Sequence, residues 1–226
     1  MKIRYLGHAG FEIKMKKHTL VFDPYITPNN LASHIKLSDI NPDFVLITHG
    51  HFDHISDAEQ IAKNNNALCI SNYEVIKWLN AKGVKGHPLN QGGKSTFDFG
   101  VAKYVNAIHT SSMPDGSYGG NPGGFVVWDD NVCFYHAGDT ALTLDMKLIP
   151  LTCPKLDFAI LPIGDNFTMG YDDAAIAAEY IDCPRIIGCH FNTFAPITID
   201  LSKAKEAFKN RGKELILLEV GETIEI

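Results

Sequence analysis

The apolar run Phe44-Val45-Leu46-Ile47 passes without a break into Thr48-His49-Gly50-His51-Phe52-Asp53-His54. No other stretch constrains the fold as tightly. The run reads as a buried strand over residues 43–48. The three imidazoles and one carboxylate that follow it are the side chains that hold zinc, manganese or iron, and a loop leaving a strand can aim several of them at one point. Only ten histidines occur in 226 residues, so crowding three of them by accident is the poorer explanation.

The chain around this junction alternates in a readable way. Residues 3–6, 11–14 and 19–22 read as short strands of a meander, separated by Gly and charged turns. After the His-rich loop, Ser56-Asp57-Ala58-Glu59 has the form of a capping box that starts a helix through Ala58, Ile61 and Ala62. A strand at 67–70, a helix at 73–79 and a turn at Lys82-Gly83 follow. Strands return at 96–99, 102–108, 124–128 and 132–135, then 158–161, 185–189 and 214–218, with helices at 172–181 and 201–210. In the last helix Leu201, Ala204 and Phe208 form an apolar face, and Gly212 marks its stop. The loop Gly119-Gly120-Asn121-Pro122-Gly123-Gly124 lacks a following helix, which a phosphate cradle needs, and reads instead as a tightly turned border. Nothing marks a break between halves, so a single domain over 1–226 is expected.

Bulk composition excludes several classes. Apolar residues make up 45% and charged residues 20% of the chain, as in an ordinary globular protein. A formal net charge of −6 with dispersed Lys and Arg gives no electrostatic footprint for nucleic acid. No stretch approaches the apolar length of a membrane span, and the first residues are too poor in apolar side chains for a signal peptide. Five cysteines without C-x-x-C spacing suit free thiols in a reducing compartment, so a cytoplasmic location is expected. Neither a G-x-S-x-G elbow nor a Ser/His/Asp order is present.

Further polar residues follow predicted strands at their carboxyl ends: His8, His109, Asp139 and His190. In helix-covered sheets, ligands gather along that edge, so residues far apart in sequence can converge there. Asp23 and His8 are placed in or directly behind the site, against the alternative of turn chemistry alone. His136 divides between support of the site and strand packing. Asp165, Asn166, Asn192, Thr193 and residues 110–113 follow strand ends and are expected to line a substrate pocket. Phe167, Met169 and Phe194 would give that pocket an apolar wall, although core packing explains them equally well.

With these residues in view, the chain resembles the metallo-β-lactamase superfamily. The H-x-H-x-D-H loop, the later His109, Asp139 and the final His190 match its motif order. The segments Leu6-Gly7-His8-Ala9, Phe22-Asp23-Pro24, His109-Thr110-Ser111-Ser112, His136-Ala137-Gly138-Asp139-Thr140 and His190-Phe191-Asn192-Thr193-Phe194 resemble a branch of metal-dependent hydrolases related to sugar-phosphate lactonases and to an N-acyl phospholipid phospholipase D. That resemblance implies an α/β fold, a four-layered αβ/βα sandwich of two mixed sheets flanked by helices. It also implies one metal on His49, His51 and His109, a second on Asp53, His54 and His190, and Asp139 bridging them. A hydroxide shared by the two ions would be the nucleophile, with Asp53 and His190 at the catalytic position.

The expected reaction is hydrolysis of a small-molecule ester, lactone or phosphodiester, with zinc foremost and manganese, iron or nickel compatible. Homo-oligomerisation stays open. Two other readings use the same residues: di-iron oxidoreductase chemistry, and non-catalytic metal binding. In the flavin-coupled oxidoreductases of the fold a Glu replaces the second His of the loop. His51 at that position favours hydrolysis.

Overall fold

A computed structural model describes residues 1–226 and divides them into two compact units. The first comprises Met1–Asn90, Thr110–Pro122 and Leu218–Ile226; the second comprises Gln91–His109 and Gly123–Leu217. Each holds one seven-stranded mixed sheet.

In the first unit, strands β1 (Lys2–Gly7), β2 (Gly10–Met15) and β3 (His18–Phe22) form the expected antiparallel meander. Strands β4 (Phe44–Leu46), β5 (Leu68–Ser71) and β6 (Gly86–Pro88) extend it in parallel. Two antiparallel steps leave β1 running the same way as β3, so β1, β3, β4, β5 and β6 all end along one edge. Two of the connecting helices are α2 (Ala58–Asn65) and α3 (Tyr73–Ala81). Their residues Ala58, Ile61 and Ala62, and Val75, Ile76 and Leu79, recur at helical spacing and pack with Val21, Val45 and Cys69 of the strands in one apolar core.

The second sheet repeats the logic. Strands β7 (Lys94–Phe97), β8 (Gly100–Asn106), β9 (Gly123–Trp128) and β10 (Cys133–His136) are antiparallel neighbours. Strands β11 (Phe158–Pro162), β12 (Arg185–Cys189) and β13 (Glu214–Ile216) then run parallel to β10. Strands β8, β10, β11 and β12 therefore end on one edge. Helix α5 (Tyr171–Tyr180) buries Ala174, Ala175, Ala177 and Ala178, small side chains that let it lie close to the sheet, and α6 (Leu201–Asn210) adds Ala204 and Phe208 to the same core.

Several expectations are corrected. The proposed capping box does not form: Ser56 closes a short helix α1 (Phe52–Ile55) that begins inside the His-rich loop, and the Asp57 carboxylate accepts from the backbone N–H groups of Ile26 and Thr27 instead of capping α2. The sheet also gains β6 and β14 (Thr223–Glu225), three-residue strands with too few apolar side chains to show a period. Leu201 is largely exposed, so the apolar face of α6 narrows to Ala204 and Phe208. Gly212, at φ +66°, ends that helix as expected.

Phe208 is fully buried between α6 and its sheet. Phe208→Ala should reduce the unfolding free energy by about 3–5 kcal/mol, measured by urea denaturation. A change within experimental error would contradict the packing described for the second unit.

Candidate metal centre

In the first unit the strand ends deliver a cluster of imidazoles and carboxylates. Asp23 follows β3 with φ +38°, an uncommon conformation that turns its carboxylate back into the interior. The carboxylate is fully buried. It accepts from Thr48 N at 2.8 Å and Thr48 Oγ1 at 2.6 Å, and its Oδ2 lies 2.8 Å from His54 Nδ1. An ionised carboxylate only accepts. The His54 proton therefore sits on Nδ1, and Nε2 keeps its lone pair for a metal.

The same logic runs one residue further. Because the Thr48 hydroxyl donates to Asp23, its oxygen is the acceptor for His49 Nδ1 at 3.1 Å. His49 then also presents an unprotonated Nε2, which lies 3.0 Å from His51 Nδ1. The His49 and His54 rings are 4.2 Å apart between centroids. One buried carboxylate thus sets the tautomers of two candidate ligands.

His8, at φ +57° after β1, places Nε2 2.9 Å from Asp53 Oδ2, and its carbonyl accepts from the Tyr5 hydroxyl. Ligand atoms of His8, Asp53 and His54 all lie within 4.8 Å of one another. Tyr25 packs edge-on to His8, and burial, with the nearby Asp53 and Asp57 carboxylates, raises its phenol above the ordinary range. Gly50 is required by close approach, since a Cβ there would meet the Met113 sulfur at 2.5 Å and the Ser112 carbonyl at 3.1 Å. Its N–H donates to Ser111 Oγ, which donates onward to Gly119 O.

The second unit contributes a smaller group. His190 follows β12 with φ +54° and lies 3.0 Å from Asp139 Oδ2 through Nε2; His109 Nε2 is 3.5 Å from the same oxygen. Asp139 is buried. The loop carrying it is tied down by Gly138 N donating to His136 Nδ1. His136 itself is fully buried at the end of β10. Gly164 lies directly under His190, where a Cβ would collide with the His190 carbonyl.

Other expected pocket residues divide. Asp165, at φ +62°, closes a turn through its N–H to Met169 O, and the Asn192 side chain accepts from Ile199 N, so both shape loops at the strand ends. Asn166, at φ +56°, is exposed in the same turn. Met113 and Met169 are core residues, packed in the first and second units respectively. Phe167 is exposed. Sequence reasoning gave no role to Thr48, Thr140 or Gly164, and Ser111, within the stretch expected to line a pocket, also anchors Gly50. Thr48 stood within the motif itself, whereas nothing in the sequence pointed to Gly164.

The donor set fits a divalent metal. The ion-pair partners of Asp23, Asp53 and Asp139 are imidazoles, and burying carboxylates without a cation is costly. Imidazole and carboxylate together suit zinc, manganese or iron. A thiol nucleophile is disfavoured: burial pushes Cys69 and Cys133 up to about 12 and Cys183 up to about 11.

Comparison with known proteins agrees with this geometry. Residues 2–190 match the family described as Beta-lactamase superfamily domain. The chain is 52% identical, over its full length and that of the relative, to a UPF0173 metal-dependent hydrolase of Christiangramia forsetii. It is 43% identical, with both chains fully covered, to the UPF0173 metal-dependent hydrolase YtkL of Bacillus subtilis. Among solved structures it resembles Igni18, a metallo hydrolase of the archaeon Ignicoccus hospitalis, with TM-score 0.89 and 31% identity, covering 99% of this chain and 97% of that one. The expected fold of two mixed sheets flanked by helices is the one found.

Asp23→Asn keeps the shape but can donate toward His54 Nδ1, which disturbs the tautomer. It should weaken zinc binding by about 10–100-fold, read by competition with a chromogenic chelator. Thr48→Val, which removes the hydroxyl between Asp23 and His49 but leaves the Asp23–His54 contact, should weaken it less. Unchanged affinity in both variants would contradict the assignment.

Proposed function

From the membership of this chain in the metallo-β-lactamase superfamily, among the UPF0173 metal-dependent hydrolases, we propose a dinuclear mechanism for cleaving a small ester, lactone or phosphodiester. The chain is a metal-dependent hydrolase of that superfamily. The observation that carries the finer reading is the pair of ligand groups at the strand ends: His49, His51, Asp53 and His54 in one unit, and His109, Asp139 and His190 in the other.

In this reading His49, His51 and His109 would hold one ion and Asp53, His54 and His190 the other, with Asp139 a further ligand. Two divalent ions, zinc foremost, supply an acidified water as nucleophile and polarise the oxygen that gathers charge. The protein's own contribution is positional. Asp53, its Oδ2 held by His8, would accept a hydrogen bond from that water, and His190 is fixed against Asp139 and seated on Gly164. The Asp23–Thr48 relay keeps His49 and His54 in the form that binds metal.

The family match over residues 2–190, which runs through both units, supports treating residues 1–226 as one catalytic domain. Cysteines present as thiols support a cytoplasmic setting. No helix is long and apolar enough to cross a membrane. The acidic balance supports a small-molecule substrate over nucleic acid.

His51→Ala and Asp139→Asn should each lower kcat/KM at least about 10³-fold on whichever ester, lactone or phosphodiester the zinc-loaded protein cleaves. Steady-state assays with matched metal loading test this. Turnover within a factor of two of wild type would overturn the mechanism.

A further inference from the structure

Within the second unit, the loops that leave β8, β10 and β11 are laced together around Asp139. Ile108 N donates to Thr140 Oγ1, Ala141 N to Ile108 O, and Met169 N to Thr140 O. Asn106 Nδ2, at the end of β8, donates to Asp145 at 2.6 Å and so joins the 3₁₀ turn Leu144–Leu148 to the same group. Each of the three segments presents a large apolar side chain to solvent: Ile108 is 51% exposed, Leu144 67% and Phe167 53%. Single exposed apolar residues are ordinary. Three on hydrogen-bonded neighbouring segments, beside a buried carboxylate flanked by two imidazoles, give these loops an apolar exterior.

Charge points the same way. Of the 20 Lys and Arg residues, none falls in residues 104–146, 156–184 or 186–202, which contain the loops leaving β8, β10, β11 and β12. The cavity beside the Asp165 turn, about 440 Å³, is lined by Asp165 and Asp200 together with Asn166, Tyr171 and Ile199, and by no cation. The first turn of α5, whose N-terminus could otherwise attract an anion, already carries Asp172 and Asp173. Metal ions could hold the charge of the reacting group itself. Lys147, in the same 3₁₀ turn, lies over the Tyr180 ring and Lys103 donates to Thr152 Oγ1, so a second anionic group on the substrate would meet only ammonium groups already engaged elsewhere.

Building on the hydrolase reading above, we propose that the substrate is an uncharged carboxylic ester or lactone with an apolar acyl chain, and that Ile108 and Phe167 contact that chain. Water adds to the acyl carbon and the C–O bond to the alcohol oxygen breaks. One proton of the water goes to the departing alkoxide, and the other is released as the product acid ionises.

The test compares p-nitrophenyl acetate, butyrate and hexanoate with two charged substrates, p-nitrophenyl hemisuccinate and bis(p-nitrophenyl) phosphate, on zinc-loaded protein. The expected result is a kcat/KM that rises about tenfold or more from acetate to hexanoate, as partial burial of added methylenes allows, with the hemisuccinate below the butyrate. Ile108→Ser and Phe167→Ser should flatten the hexanoate-to-acetate ratio. Saturable binding of hexanamide, followed by ligand-observed NMR, should weaken in the same variants, a readout independent of turnover. A flat chain-length profile, or faster turnover of either charged substrate, overturns this proposal and leaves the hydrolase reading intact. Turnover of no substrate in the series, by protein carrying its full metal complement, overturns both.

Discussion

The buried carboxylate of Asp23 is the interaction on which the candidate centre depends. It sits at the end of β3 and receives Thr48 from the end of β4, so it closes the sheet edge mechanically while it fixes protons chemically. Its bond to His54 and its relay through Thr48 to His49 leave both rings with a lone pair on Nε2. Remove the carboxylate and nothing holds the proton of His54 on Nδ1 or orients the Thr48 hydroxyl toward His49. A metal would then have to order both imidazoles at its own expense.

Topology explains why the ligands arise where they do. In each sheet, strands that run the same way end along the same edge, and the candidate ligands and their supports follow those ends: His8, Asp23 and His49 in one sheet, Asp139 and His190 in the other, with His109 three residues beyond β8. The positive φ angles of His8, Asp23 and His190 reverse the chain immediately after the strand, which turns the side chain toward the edge rather than along it. Glycines supply the remaining room, Gly50 beneath the Ser112–Met113 segment and Gly164 beneath His190. The apolar and cation-free character of the loops around Asp139 then gives the second unit a chemical preference that the ligands alone would not confer.

Most of this was legible from the chain. The strands around β1 to β3 and β8 to β10 declared themselves by apolar periodicity, and the ligands by following them. What escaped did so for physical reasons. The strands β6 and β14 are three residues long, and β6, Gly86-His87-Pro88, has no apolar pattern to detect. The Ser56 capping signal was a true local pattern overridden by tertiary contact, because the Asp57 carboxylate satisfies the backbone at Ile26 and Thr27. The sequence places Asp23 in or behind the site, against turn chemistry before a proline; the packing of β3 against β4 adds that it faces Thr48 and His54. His136, which the sequence divides between support of the site and strand packing, is buried at the end of β10 and accepts from Gly138 N.

The central claim is that the ordered imidazoles and carboxylates hold two metal ions. Crystals of the zinc-loaded protein, measured on both sides of the zinc absorption edge, test it most directly. The account predicts two anomalous peaks per chain, one about 2.0–2.1 Å from the Nε2 atom of His49 and the other at the same distance from that of His54. A single peak, or peaks bound elsewhere on the chain, would contradict it.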